Sequence, residues 1–219
     1  MLKKNIIISK TARYFLSAEP SANIEEVWFV CHGYAQLANY FIKNFDALNT
    51  GKVLVVAPEG LNRFYWNGFS GKVVASWMTK EDREEEIRDY VAYLDEVYRE
   101  VLSLLKNKNV KVTALGFSQG TATVCRWLAN SRSHADHLVL WAGAFPGDMD
   151  LQLNKAVFNN MRTVLVTGDN DEFINEEQVK EHEQLLKDNG ISHEVLRFKG
   201  KHEIKEETLV ELASRLRGA

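Results

Sequence analysis

Short apolar runs alternate with longer amphipathic segments along most of the chain. The apolar runs are rich in β-branched residues and occupy residues 27–31, 52–57, 110–115, 137–142, 163–167 and 193–198. Each run is too short and too continuous for an exposed helix, which is typical of a strand buried on both faces. The pattern therefore predicts six buried strands.

Segments with helical periodicity lie between these strands. The clearest covers residues 80–106, where apolar side chains recur every three or four positions. Thr79 and Asn175 each precede an acidic first turn and are predicted to cap helices, and Gly218 follows the predicted last helix. Strands that alternate with helices of this length require crossover connections, which predict a mainly parallel sheet covered on both faces.

The N-terminal region differs from this alternation. Residues 5–9 and 12–16 are joined too tightly for a crossover and are predicted to form an antiparallel hairpin at the sheet edge. No repeat, low-complexity tract or linker-like stretch divides the chain. We therefore expect residues 1–219 to form a single α/β domain with about eight strands.

Composition and charge narrow the range of partners. The chain has 27 basic and 30 acidic side chains, a net charge of −3, so no overall positive field attracts nucleic acid. The run from Ile6 to Ile8 is too short for the core of a signal peptide, and no stretch approaches the roughly 18 apolar residues of a membrane span. The two cysteines, Cys31 and Cys125, suit a reducing compartment. These features predict a cytoplasmic protein without nucleic-acid or integral-membrane partners.

The sequence Gly116-Phe117-Ser118-Gln119-Gly120 follows the strand at 110–115 and precedes a segment with a helical pattern. This is the G-x-S-x-G nucleophile elbow in the strand-turn-helix context that it requires. Glycine is needed at positions 116 and 120 because the sharp turn brings other backbone close to them. Ser118 is therefore a candidate nucleophile, against the alternative that it only caps the helix.

A serine needs a base, and among the six histidines His202 has the expected position. It follows the strand at 193–198 on a loop at the carboxyl end of the sheet, where the histidine of this arrangement lies. The orienting acid is expected in the loop 168–173, which contains Asp169 and Asp171. Periodicity does not choose between these two aspartates.

The oxyanion hole should combine two backbone N–H groups. One belongs to Gln119, the residue after the nucleophile, and the other is expected from the turn Cys31-His32-Gly33-Tyr34. The N–H of Tyr34 is the predicted second donor. The pair Cys31 and His32 has no companions at metal-ligand spacing, so neither a metal nor another cofactor is expected.

Together these motifs resemble a known family. The elbow at Ser118, the His-Gly turn at 32–33, the G-D-x-D loop at 168–171 and the F-x-G-x-H sequence at 198–202 resemble the small, lidless α/β-hydrolases of the phospholipase/carboxylesterase type, which include acyl-protein thioesterases. The resemblance covers the chain from about residue 27 to the end and implies an α/β-hydrolase fold without a large cap domain. It also implies that Asp171 is the acid of the triad.

Residues 61–78 form an aromatic-rich stretch that we interpret as a loop beside the site. Phe64, Trp66 and Trp77 are predicted to build an apolar wall for an acyl chain, and Arg63 to face an anionic group. Packing beneath the loop is an equally strong alternative.

These predictions describe a serine hydrolase that cleaves small-molecule carboxylic esters, or thioesters, through an acyl-enzyme. An acyltransferase with the same acyl-enzyme and a binding module without catalysis are the alternatives. The sequence leaves the oligomeric state open.

Overall fold

The helices and strands follow the alternation predicted from the sequence. The computed structural model describes residues 1–218. The strands are β1 (Tyr14–Leu16), β2 (Glu26–Cys31), β3 (Val53–Pro58), β4 (Asn62–Asn67), β5 (Ser70–Ser76), β6 (Lys111–Phe117), β7 (His137–Trp141), β8 (Arg162–Gly168) and β9 (Glu194–Phe198). The helices are α1 (Ala38–Phe41), which continues into a 3₁₀ segment (Ile42–Leu48), α2 (Arg83–Leu104), α3 (Gln119–Asn130), α4 (Leu151–Asn159), α5 (Glu176–Asp188) and α6 (Glu206–Arg217).

Seven strands form one sheet in the order β1-β3-β2-β6-β7-β8-β9. All neighbouring pairs are parallel except β1 with β3. The carboxyl ends of β2, β6, β8 and β9 therefore meet at one edge of the sheet, and the loops with the predicted site residues follow these ends. This arrangement confirms the predicted α/β-hydrolase fold.

Alternate strand residues pack against helices on opposite faces of the sheet. One face contacts α2, α3, α4 and α5, and the other contacts α1, the 3₁₀ segment and α6. In β2, Phe29 faces the first layer and Trp28 the second, and both are fully buried. The continuous apolar runs in the sequence reflect this burial on both faces.

The predicted antiparallel strand at the N-terminal edge of the sheet is confirmed, but the predicted hairpin partner at residues 5–9 is wrong. Residues 5–9 belong to no strand, whereas Tyr14–Leu16 pairs antiparallel with β3, with Leu16 opposite Val56. Ile6, Ile7 and Ile8 are all at least 75% exposed, so no apolar burial stabilises a second N-terminal strand.

The helix caps agree in part with the sequence. Asn175 caps α5 in a capping box with Gln178, and Gly218 ends α6 with the expected left-handed backbone. Thr79 does not cap α2, because the helix begins only at Arg83, after a left-handed residue at position 82. Its N–H group instead donates to the Glu86 carboxylate.

The stretch 61–78 contains a hairpin and is not a loop, which corrects the interpretation from sequence. β4 and β5 form a separate two-stranded sheet, with Arg63 opposite Ala75 and Asn67 opposite Ser70. Gly68 in the turn has a left-handed φ of 74°. Asn-Gly is a strong hairpin signal, so positions 67–68 could have revealed it.

None of the helices within residues 1–218 is long and apolar enough to cross a bilayer.

Candidate active site

Ser118 occupies a strained turn between β6 and α3. Its backbone has φ 53° and ψ −118°, outside the regions that ordinary residues favour. A Cβ at Gly120 would lie 2.1 Å from the Cys31 carbonyl oxygen, and one at Gly116 would lie 2.3 Å from the Gly120 carbonyl oxygen. Both glycines are therefore required by close backbone contacts, as the elbow motif predicts.

His202 lies beside this elbow and contacts a buried carboxylate. Its Nδ1 is 2.8 Å from Asp171 Oδ2, and the Asp171 side chain is fully buried. The other carboxylate oxygen of Asp171 accepts the N–H groups of Phe173 and Ile174 at 2.8 and 3.1 Å. A carboxylate held in this way places the imidazole proton on Nδ1 and leaves Nε2 as the basic atom. The His202 ring also packs against Phe117, which precedes the nucleophile, at 4.9 Å between centroids.

Asp169 does not contact His202. It is exposed, and its Oδ1 accepts the N–H of Gly200 at 3.0 Å, which joins the loops after β8 and β9. This hydrogen bond connects Asp169 to the loop that carries His202. Of the two aspartates that the sequence left open, the structure brings Asp171 to the histidine.

Trp141 was not singled out from the sequence, although it joins the elbow to the histidine loop. Its carbonyl oxygen accepts the Ser118 N–H at 2.9 Å, and its indole N–H donates to the Glu203 carbonyl oxygen at 2.8 Å. Glu203 directly follows His202. No local sequence motif indicates such a role, because it depends on contacts between distant segments.

The turn after β2 approaches the nucleophile closely. A Cβ at Gly33 would lie 3.2 Å from Ser118 Cβ, so a glycine here lets the turn pack against the elbow. The left-handed φ falls on Ala35, at 59°, and not on Gly33. A larger residue at position 33 would therefore crowd the elbow. Tyr34 follows it, and Gln119 begins α3, where the first N–H groups have no partner within the helix.

His32 fixes the peptide group that carries the Tyr34 N–H. Its Nε2 accepts the Gly60 N–H at 2.9 Å, so Nδ1 carries the proton and donates to the Gly33 carbonyl oxygen at 2.7 Å. In a trans peptide the C=O and N–H point in opposite directions, so this bond also sets the direction of the Tyr34 N–H. Burial lowers the pKa of His32 from 6.5 to about 4, which keeps the ring neutral. Both ring nitrogens are therefore engaged in the fold.

The hairpin β4–β5 brings aromatic side chains to Tyr34. Phe64 and Trp66 lie 5.8 and 6.1 Å from the Tyr34 ring, between centroids, and form an aromatic rim with it. Trp77 is fully buried, which contradicts its predicted place on the wall. Arg63 lies 3.5 Å from the buried carboxylate of Glu59, so its charge is partly matched within the protein.

Comparison with known proteins identifies the family. Residues 29–208 match the model of the family described as serine hydrolase (FSH1), which covers most of the chain and includes the elbow and His202. The chain belongs to the FSH1 serine hydrolase family. No curated protein sequence matches it.

Solved structures share the fold of this FSH1-family hydrolase at low sequence identity. Acyl-protein thioesterase 2 from Zea mays has a TM-score of 0.72 at 16% identity, over 95% of this chain and 99% of that one. A carboxylesterase from Mesorhizobium loti has a TM-score of 0.71 at 17% identity, over 95% of each chain. The Bacillus cereus carboxylesterase has a TM-score of 0.68 at 13% identity, over 94% of each chain.

A small cavity of about 120 Å³ in the FSH1-family hydrolase lies between the loop after β7, the strand β8 and the helix α5. Its lining includes Gly143, whose Cβ, if present, would lie 2.8 Å from the Ser118 carbonyl oxygen. Ile174, Val179 and His182 line the side formed by α5 and the loop before it. The cavity is mostly apolar.

In residues 1–218, the His, Cys, Asp and Glu side chains form no group of three that could hold a metal ion.

Proposed function

We propose that this FSH1-family hydrolase cleaves small-molecule carboxylic esters, or thioesters, through an acyl-enzyme on Ser118. The observation that carries the proposal is the hydrogen bond at 2.8 Å between His202 Nδ1 and the buried carboxylate of Asp171, beside a strained serine elbow. A neutral imidazole oriented in this way can take a proton through Nε2. The names of the structural relatives, a thioesterase and two carboxylesterases, agree with this chemistry.

Each group has one task in the proposed reaction. Ser118 Oγ attacks the acyl carbon while His202 takes its proton, and the N–H groups of Gln119 and Tyr34 hold the resulting oxyanion. The intermediate then collapses, and His202 gives the proton to the departing alcohol or thiol. Water attacks the acyl-enzyme with His202 again as base, which releases the acid and restores Ser118. Asp171 orients the imidazole and stabilises its charged form.

Two apolar surfaces suit the substrate. The cavity next to α5 has Gly143 in its lining, close to the Ser118 backbone, and can hold a short acyl chain. Phe64 and Trp66 with Tyr34 can contact a larger group at the rim. Arg63 is better explained as a partner of Glu59 than as a site for a substrate anion.

The test is hydrolysis of p-nitrophenyl esters from acetate to palmitate, and of matching acyl thioesters. We expect Ser118→Ala to lower kcat by ~10⁶, because the nucleophile is lost. Ser192→Ala is the matched control, since Ser192 is exposed on the loop before β9 and should leave kcat unchanged.

Mass spectrometry should find the acyl group, or a fluorophosphonate label, on Ser118 alone. Hydrolysis that survives Ser118→Ala would refute the acyl-enzyme, and a wild-type protein that neither turns over esters nor reacts with the label would refute the proposed function. Acyl transfer to an added alcohol in preference to water would instead indicate an acyltransferase.

A further inference from the structure

Trp77 lies between the two segments that carry the proposed oxyanion donors. Its indole N–H donates to the His32 carbonyl oxygen at 2.8 Å, in the turn that leads to Tyr34. Its backbone N–H donates to Gln119 Oε1 at 3.2 Å, on the residue whose amide is the other proposed donor. A single, fully buried residue thus contacts both segments.

The contact with His32 fixes one of two consecutive peptide groups in the turn. The His32 carbonyl oxygen belongs to the same peptide as the Gly33 N–H, which donates to Gln36 Oε1 at 2.8 Å. The next peptide is fixed by the bond from the His32 ring to the Gly33 carbonyl oxygen, and it carries the Tyr34 N–H. With both peptide orientations determined, the direction of the Tyr34 N–H is determined too.

The second contact of Trp77 holds the start of α3 through the side chain of Gln119. Gln119 Oε1 accepts from Trp77, and Gln119 Nε2 donates to the Met78 carbonyl oxygen at 3.1 Å. The segment after β5 and the start of α3 are therefore joined by two hydrogen bonds. The backbone of residue 77 thus holds α3 while its indole holds the turn after β2, so the distance between the two proposed donors depends on both contacts.

We propose that Trp77 is a positioning residue that holds the two oxyanion donors of this enzyme in one geometry. The inference rests on the proposed function, because it concerns a hole that acts only during acyl transfer. Trp77 does not touch the substrate. It acts through backbone groups that do, and such a donor stabilises the oxyanion fully only when it lies within about 0.5 Å of its optimal position, which is about 2.7–3.1 Å from the oxyanion.

The test is Trp77→Phe, which keeps an aromatic ring beside His32 but removes the indole N–H. We expect kcat to fall about 10- to 100-fold with KM within about twofold of wild type, because a displaced donor weakens the transition state and not substrate binding. The pH profile of kcat should be unchanged, since the pair of His202 and Asp171 is not altered.

A trifluoromethyl ketone gives a second readout that a merely structural role would not change. Ser118 Oγ adds to its carbonyl carbon, the hydroxyl proton passes to His202, and the carbonyl oxygen becomes an oxyanion in the hole. We expect its inhibition constant to rise by the same factor as kcat falls.

Trp127→Phe is the matched control. Trp127 is also fully buried, and its indole N–H donates at 2.8 Å to Asp95, between α3 and α2. Both variants lose one buried indole hydrogen bond and should have similarly lowered melting temperatures. Only Trp77→Phe should lower kcat, and equal kcat values in the two variants would overturn the inference.

Gln119→Met tests the same connection from its other end, because it keeps the backbone amide and removes the side-chain acceptor. In the double variant, kcat should fall by less than the product of the two single-variant effects, as expected for residues in one network. If Trp77→Phe does not fold, Gln119→Met decides alone: a lowered kcat in a folded protein supports the inference, and an unchanged kcat overturns it.

The outcomes separate this inference from the proposed function. A wild-type protein that does not react at Ser118 would refute both. A wild-type protein that reacts, with a Trp77→Phe variant that reacts equally fast, would refute the positioning role alone.

Discussion

The buried His32 and the half-buried His182 should make the fold lose stability in mild acid. Burial is the main cause that lowers the pKa of His32 and of His182 from 6.5 to about 4, and the nearby His193 adds to the effect at His182. Each ring also accepts a backbone N–H through Nε2, from Gly60 and from Phe145 respectively. Only the neutral imidazole can accept these bonds, so protonation removes them.

The direction and size of the effect follow from proton binding. Between pH 6.5 and about 4 the unfolded chain binds protons at these two histidines that the folded chain does not, so the free energy of unfolding decreases as the pH falls. One pKa unit corresponds to about 1.4 kcal/mol, which gives about 2 kcal/mol for each histidine at pH 5. The sum of about 4 kcal/mol is a large part of the ~5–15 kcal/mol that stabilises a typical domain. Above pH 6.5 neither histidine contributes a pH dependence.

Urea unfolding at pH 7.5 and pH 5.0 measures this loss. In His182→Gln, an amide oxygen can still accept the Phe145 N–H but does not titrate, so the variant should lose about 2 kcal/mol less than wild type between these pH values. His134→Gln is the control, because His134 is exposed and its replacement should leave the loss unchanged. A His182→Gln variant with the full wild-type loss would refute burial of His182 as a cause of acid sensitivity.

Three further predictions concern the site. Asp171→Asn should lower kcat by ~10⁴, because the imidazole loses its orienting carboxylate, whereas Asp169→Asn should lower kcat less than about tenfold. Equal losses of ester hydrolysis in the two variants would contradict the assignment of Asp171. Tyr34→Ala keeps the backbone N–H and should retain most activity, whereas Tyr34→Pro removes this N–H and should lower kcat by ~10²–10³. Similar kcat values in the two folded variants would exclude the Tyr34 N–H as a donor. Gly120→Ala would place its Cβ 2.1 Å from a carbonyl oxygen of β2 and should lower the melting temperature strongly, whereas Gly147→Ala has open space around its Cβ and should not lower it. Thermal unfolding of both variants tests this prediction, and equal melting temperatures would contradict it.

Much of the fold could be predicted because the strands are buried on both faces. Each predicted apolar run overlaps one of β2, β3, β6, β7, β8 and β9, since burial on both faces leaves little room for polar residues. The elbow was predictable for a different reason. Gly116 and Gly120 are required by backbone contacts of 2.3 and 2.1 Å, so the motif records a steric constraint of the fold itself.

The features that the sequence did not predict depend on contacts between distant segments. β4 contains the consecutive aromatic residues Phe64, Tyr65 and Trp66, so it lacks the apolar-polar alternation that marks a half-buried strand. Residues 5–9 have a strand-like composition, yet in the structure nothing covers them. The sequence predicts Trp77 as a substrate contact because it follows several aromatic residues. Only the tertiary structure shows that it is buried and contacts the turn after β2.

The same distinction explains where the catalytic power of such a site resides. Its motifs predict Ser118, His202 and Asp171 as the triad, but the proposed oxyanion donors are backbone N–H groups, which every residue except proline possesses. The direction of such a group depends on the hydrogen bonds that hold its own peptide and the one before it. For the Tyr34 N–H, the His32 ring holds the Gly33 carbonyl oxygen and the Trp77 indole holds the His32 carbonyl oxygen. Two members of the FSH1 family with identical motifs should therefore differ in turnover wherever these supporting residues differ.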